Sequence, residues 1–284
     1  METTDTDNVG TPQERAGRVL DNWPMQNYLE LDALSSGQLK DLLVGREFWQ
    51  ARKSQPKAST PDMAIGTAVH ALLLTPEALD QDVAVAPETG CGARTTKTYK
   101  AWKADQAPGK ALLLAHEMKQ ARAAANAVKE HPHWSRYIES LSGAERTITW
   151  VTDCGHSCKA RVDAWIDSPD GAWLLDVKTC QNAGTTHWGA RPFHYVATDY
   201  YYDLQLAWYT RAWQAAVGDV AGQLILAVEK NPPYQVRLWD MRTWMARADG
   251  LVDQALANID APEAKPEIEV LPMPGWLKHQ EAAR

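Results

Sequence analysis

Residues 158–180 read CKARVDAWIDSPDGAWLLDVKTC. Two apolar-rich runs, CKARVDAWI (158–166) and AWLLDVKTC (172–180), flank the turn signal SPDG at 168–171. The composition and spacing of the runs predict two antiparallel strands joined by that turn. Period-two alternation then puts Asp176 and Lys178 on one face of the second strand. Asp163 precedes Asp176 by 13 residues across the turn, so pairing brings the two carboxylates side by side. Two carboxylates on neighbouring strands form an oxygen-ligand site for a hard divalent cation such as Mg²⁺. A lysine two residues on can orient or deprotonate a water held there. Those are the parts that phosphodiester hydrolysis requires.

Working outward, ERTITWVT (145–152) predicts a third strand, which completes an antiparallel meander through the turn at 153–157. Glu145 opens that strand as a third carboxylate, and Arg161 alternates with Asp163 on one face. DMAIGTAVHALLLT (62–75) is almost wholly apolar, which predicts a buried helix carrying His70. After the meander, 199–216 returns to a helical period, and Gln205 and Tyr209 share a helix face at i and i+4. Two more strands are expected at 222–230 and 234–240, and a helix at 241–259. Upstream, Ser35 and Ser36 open a helix running to about Lys53, and 97–130 reads as helical with an interruption at Pro108-Gly109. The order predicts one α/β domain over 28–260: a central mixed sheet flanked by helices, with a helical N-terminal elaboration. A disordered leader is expected over 1–27 and a Pro-rich tail over 261–284.

The chain has 284 residues and a formal charge of −7. That sign weighs against a protein that coats nucleic acid through bulk charge. Its distribution changes the reading, because residues 1–32 hold seven acids and two bases, leaving the other 252 residues at −2. Residues 91–130 carry eight bases against three acids. No stretch reaches the roughly 20 apolar residues of a membrane span, and METTDTDNVG lacks the basic and apolar regions of a secretory signal, so a cytoplasmic protein without a membrane partner is expected. Cys91, Cys154, Cys158 and Cys180 are read as free thiols. Cys154-x3-Cys158 with Cys180 and Cys91 could also suggest zinc or an iron–sulphur cluster, but the first pair lies in or beside a hairpin turn, which favours the thiol reading.

Taken in order, GTAVH (66–70), AERTITW (144–150), CKARVDAWID (158–167), LLDVKT (174–179) and YYYDLQLAWY (200–209) resemble the RecB-type branch of the PD-(D/E)XK nuclease superfamily, most of all the phage and prophage exonuclease VIII (RecE) nuclease domain. ALSSGQLKDLL and LPMPGWL also fit that family, and the resemblance spans roughly residues 28–275. It implies a PD-(D/E)XK core in which His70, Asp163, Asp176 and the carbonyl of Val177 bind the catalytic metal. It implies that Lys178 is general base or transition-state stabiliser, that Glu145 holds a second metal or a bridging water, and that Gln205 and Tyr209 position DNA. Val162 stands where the superfamily name has Pro. The implied reaction is Mg²⁺-dependent 5′ to 3′ hydrolysis of linear duplex DNA, with Mn²⁺ as substitute ion. It leaves 3′ overhangs for a RecT-like single-strand annealing protein, and the resemblance implies a homo-oligomeric ring, a tetramer.

For DNA contacts, Arg94, Lys97, Lys100 and Lys103 recur at three-residue spacing with Tyr99 and Trp102 between them, either a phosphate-binding stripe or a solvated helix face. Ser35, Ser36 and Lys40 open a helix where free N–H groups favour a phosphate or simply a cap. Arg161 joins them through its place beside the carboxylates. The rival readings are a nuclease acting on single strands or in CRISPR adaptation, a restriction endonuclease, and a non-catalytic DNA-end binding protein.

Overall fold

The computed structural model describes residues 17–21, 23–53, 55, 59–187 and 189–261. In chain order come β1 (Arg18–Leu20), α1 (Met25–Glu30), α2 (Ser36–Val44), α3 (Arg46–Lys53), α4 (Pro61–Leu74), a 3₁₀ turn, α5 (Leu79–Asp82), β2 (Val83–Val85), α6 (Lys97–Ala104), β3 (Ala111–Leu113), α7 (Ala115–Lys129) and α8 (Ser135–Glu139). The second half holds β4 (Gly143–Val151), β5 (Ser157–Ile166), β6 (Ala172–Cys180), α9 (Phe193–Asp199), α10 (Tyr202–Ala216), β7 (Val220–Glu229), β8 (Val236–Asp240) and α11 (Met245–Ala257).

Six strands form one mixed sheet in the order β1-β4-β5-β6-β7-β8, parallel only between β6 and β7. The β4–β5–β6 meander and the helix between β6 and β7 agree with the α/β reading. Both faces of the sheet are covered. On one, Ile148, Val162, Leu174 and Ile225 pack with Leu39, Leu42, Trp208, Trp213 and Val252 from α2, α10 and α11. On the other, Leu175, Val177, Leu224, Leu226 and Val228 pack with Ile65, Val69, Leu72, Met118 and Val128 from α4 and α7. Strand β7 is buried over Gly222–Glu229 because helices lie above and below it, as expected of a strand parallel to its neighbour.

Three local signals place the helices. Thr60 Oγ1 accepts the Met63 N–H at 3.2 Å, and Pro61 follows, so α4 starts with a cap and a pre-set φ. Gly45, at φ 152°, splits the single helix expected to run to Lys53 into α2 and α3. Gly66 brings α4 close to the sheet, since a Cβ there would stand 3.2 Å from Thr179 Oγ1 of β6.

The leader reading over 1–27 is corrected in its second half. Residues 18–20 pair antiparallel with Leu20↔Thr147 in register, and α1 begins at Met25. Two cations of β5, Lys159 and the part-buried Arg161, explain why. Lys159, 6% exposed, donates through Nζ to the carbonyls of Tyr28, Leu29 and Leu31 at 2.8, 3.3 and 2.7 Å, which satisfies the last turn of α1. Arg161 Nη1 donates to the Trp23 carbonyl at 2.6 Å. Residues 1–16 and the tail reading over 262–284 lie outside the described residues. The 97–130 segment is not one interrupted helix either, because β3 sits within it and pairs with β2 in a small parallel sheet.

Candidate active site

Strands β5 and β6 pair normally from Ile166↔Trp173 to Ala164↔Leu175 and then part. Beyond that point the Val177 N–H is taken by Asp163 Oδ2 at 3.1 Å, so a side chain replaces the ladder bond. The carboxylates of Asp163 and Asp176 stand where the strands separate. The neighbouring β4–β5 ladder passes from Ala144↔Ala164 to Arg146↔Val162 around Glu145, which adopts φ 57°. A non-glycine residue in that region is strained, and such strain gathers at functional sites.

Helix α4 delivers His70 to this gap. Its Nδ1 lies 2.9 Å from Glu145 Oε1 and its Nε2 3.0 Å from Asp163 Oδ2. Arg161 Nε holds the other oxygen of Glu145, and its Nη1 reaches Thr147 Oγ1 at 3.0 Å. Lys178 Nζ lies 2.5 Å from Asp176 Oδ2. From α10, Gln205 Nε2 donates to Asp176 Oδ1 at 3.1 Å and to Tyr209 Oη at 2.7 Å, while Tyr209 donates to Asp163 Oδ1 at 3.4 Å. All six expected catalytic positions, Glu145, Asp163, Asp176, Lys178, Gln205 and Tyr209, therefore meet in one network with His70.

Charge explains the protonation states. Three carboxylates, Glu145, Asp163 and Asp176, face two permanent cations, Lys178 and Arg161. Burial alone would depress the His70 imidazolium, but Asp163 and Glu145 overcome it and raise its pKa to about 10. Burial pushes Asp163 up, yet His70, Lys178 and the Val177 N–H prevail and hold it well below the usual carboxylate range. Asp176, 1% exposed, is raised by burial and by Asp163, against the pull of Lys178. Burial would lower Lys178, but Asp176 and Asp163 raise it, so it stays an ammonium. Burial keeps Tyr209 a neutral phenol.

Among the described residues no three His, Cys, Asp or Glu side chains form a ready-made metal cage, because His70 and Lys178 already serve as the carboxylates' cations. The donor set nevertheless fits a hard divalent ion: the carboxylates of Asp163 and Asp176, the imidazole of His70, and a buried Asp176 Oδ2 whose near partner is the Lys178 ammonium. Such an ion would take the place of the His70 proton in the charge balance. Val177 contributes its N–H here, and a ligand role for its carbonyl rests on the resemblance alone.

The expected DNA contacts divide. Arg161 is committed to Glu145, Thr147 and the Trp23 carbonyl, which makes it a positioning residue. Lys40 on α2 lies 5.8 Å from the Tyr202 ring, and Lys178 lies 5.0 Å from that same ring. Ser35 caps α2, its N–H donating to Gln38 Oε1 at 2.9 Å, and Ser36 is the first helical residue. Arg94 precedes α6 and is tied to Glu117 and to the Leu112 carbonyl, so it does not continue the helix stripe of Lys97, Lys100 and Lys103. Arg94, Lys100 and Lys103 instead line a cleft of about 320 Å³ with Ser59, Thr60 and Tyr99. Cys91, Cys158 and Cys180 are buried, Cys154 is exposed, and all four are free thiols. Two tyrosines near the site carry little signal in the sequence. Tyr28, pushed to about 12 by burial, feels both Arg161 and Asp163, and Tyr202 lies beside Lys178. The only sequence signal for Tyr202 is its place in the YYYD run.

No helix of the described residues is long and apolar enough to cross a membrane. No curated protein sequence matches the chain at a significant level. Among solved structures, the crystal structure of a "putative exonuclease" from Eubacterium rectale aligns with a TM-score of 0.58 and 16% identity, over 93% of this chain and 99% of that one. At that identity it shows the fold alone. SSO0001 aligns at a TM-score of 0.28 with 12% identity, over 80% of this chain and 88% of that one, and carries no argument. Residues 35–261 match the family described as a PDDEXK-like domain of unknown function (DUF3799). With a meander that parts at two carboxylates and a lysine two residues beyond the second, the chain belongs to that PDDEXK-like family and has a nuclease fold.

Proposed function

We propose that this protein is a Mg²⁺-dependent deoxyribonuclease that degrades linear duplex DNA from 5′ to 3′ and leaves 3′ single-strand overhangs for phage-type recombination. The convergence of His70, Asp163, Asp176 and Lys178 at the point where β5 and β6 part carries this reading. The polarity and the recombination role rest on the resemblance to exonuclease VIII, as do a RecT-like annealing partner and a tetrameric ring.

In this reading Asp163, Asp176 and His70 hold the divalent ion, Mg²⁺ or Mn²⁺. When bound, it neutralises phosphate charge and acidifies water. The chain's own groups do the rest. Lys178, held as an ammonium, meets the charge that develops on the phosphoryl oxygens, which favours the stabiliser role over the general base. Gln205 and Tyr209 fix the orientation of both carboxylates from α10. Arg161 and Glu145 hold the imidazole of His70 in place. Lys97, Lys100 and Lys103 supply backbone-phosphate contacts. The cleft lined by Lys100 and Lys103 lies at the start of α4, nine residues or about 14 Å along the helix from His70.

Digestion of linear duplexes with and without a 5′-phosphate, in Mg²⁺ and in EDTA, tests the reading. Strand-selective loss from 5′ ends is expected in Mg²⁺ and none in EDTA. Lys178→Ala should bind DNA and lose at least about 100-fold in cleavage rate, as is usual when a positioned charge at the transition state is removed. Normal cleavage by that variant would sink the site assignment, and loss from 3′ ends would sink the polarity.

A further inference from the structure

Tyr200 is 62% exposed, yet it stacks on Tyr202 with ring centroids 5.9 Å apart and planes 19° from parallel. Tyr202 is held from behind by Phe193, 6.1 Å away, and is flanked by two ammonium groups, Lys178 at 5.0 Å and Lys40 at 5.8 Å. Between the two stacked rings, Tyr201 sits in the left-handed region at φ 52°, ψ 50° and serves as the N-cap of α10. Tyrosine pays for that conformation, and on either side of it in the chain Tyr200 is exposed while Tyr202 lies beside Lys178. On the preceding helix, Tyr195 is 50% exposed, packs on His194 at 4.2 Å and lies under Arg191 at 5.2 Å.

A flat exposed ring, backed by a second ring that two ammonium groups lie over, offers a nucleobase a π-face and places charge near its phosphate. We infer that the Tyr200–Tyr202 stack is a platform for an unpaired nucleobase of the strand being cut, holding the nucleotide beside the Lys178 phosphate position. This rests on the nuclease reading and adds to it the form of the substrate at the site: a strand already separated from its complement over at least one nucleotide. Stacking tolerates any base, so the platform would position the strand without reading its sequence.

The test uses the full-length protein and an oligonucleotide duplex with a frayed, 5-iodouracil-labelled end, in Ca²⁺ to limit cutting. Irradiation should cross-link the labelled nucleotide to Tyr200, located by mass spectrometry of the peptides. Tyr200→Ala should weaken binding of that end roughly ten-fold, and Tyr200→Trp should restore it. Replacing the labelled nucleotide by an abasic one should weaken wild-type binding by a similar factor, with little further loss in Tyr200→Ala. Additive losses, or cross-links only elsewhere, would overturn the platform. So would a change in sedimentation with unaltered DNA binding in Tyr200→Ala, which would make the surface a contact between copies of the chain. Cleavage in Mg²⁺ without the cross-link leaves the nuclease reading standing and removes the platform. The cross-link without cleavage in Mg²⁺ would remove the nuclease reading and with it the platform for a strand being cut, leaving Tyr200 as a base contact of a protein that only binds DNA ends.

Discussion

His70 bridges two carboxylates with its two ring nitrogens, and this ties folding to pH in a specific window. The imidazolium persists up to about 10 in the folded protein, against an ordinary 6.5. Between those values the folded state binds more protons than the unfolded chain, so stability should fall as pH rises. Thermal denaturation in EDTA from pH 7 to 10 should show this decline, with a slope of at most about 1.4 kcal/mol per pH unit for one proton. His70→Gln should flatten the decline, and equal slopes in both proteins would remove His70 as its source. The carboxylates and lysine of this site were legible in the sequence, because a period of two fixes the faces of Asp163, Asp176 and Lys178 once the turn at 168–171 sets the register. The role of Arg161 was not. Alternation gives its face but not its partner, and nothing local reveals that Glu145, strained at φ 57°, turns to meet it.

Helices α4 and α10 clamp the sheet from opposite sides, and each supplies part of the site. Gly66 allows α4 to approach β6, with a Cβ there 3.2 Å from Thr179 Oγ1. Gly66→Val should therefore push α4 outward and displace His70. Expected is a loss of DNA cleavage of at least about ten-fold in a protein that still melts cooperatively, checked by kinetics beside calorimetry. On α10, Trp208 is fully buried, packs 4.6 Å from Trp150 with the rings tilted at 52°, and donates its indole N–H to the Lys159 carbonyl at 2.9 Å. Trp208→Ala should cost about 3–5 kcal/mol in urea unfolding. Thirteen tryptophans against two phenylalanines were opaque as composition. Trp150–Trp208 and Trp165–Trp213 place four of them between β4, β5 and α10, where their bulk fills the core. Long periodic elements were readable, while β1, β2 and β3 were not. Three residues each carry too little periodicity, and their pairing is decided by partners distant in the chain.

Across the molecule, the sheet and site draw on residues beyond the family match at 35–261. Val19 and its neighbours extend the sheet, and the carbonyls of Trp23, Tyr28, Leu29 and Leu31 are bound by Arg161 and Lys159. The excess of acids in residues 1–32 marks composition, and gives no sign that part of this stretch folds against the meander. A truncated protein beginning at Ser35 should lose about 3–5 kcal/mol, because the buried Lys159 ammonium would lose the carbonyls of Tyr28, Leu29 and Leu31. Comparison of its urea midpoint with that of the intact chain checks this, and an unchanged midpoint would show the acceptors to be dispensable. Lys159→Met should rescue much of the loss in the truncated form, since an apolar stem needs no acceptor.

The parting of β5 and β6 has a spectroscopic consequence. Val177 has an amide proton anchored to a carboxylate oxygen rather than to a strand carbonyl, while Leu175, two residues earlier, sits in an ordinary ladder. In an amide NMR spectrum the Val177 resonance would therefore report the ionisation and occupancy of Asp163 directly. It would act as an isotope-labelled indicator of what enters the cleft, read on a buried backbone atom that no substitution need disturb.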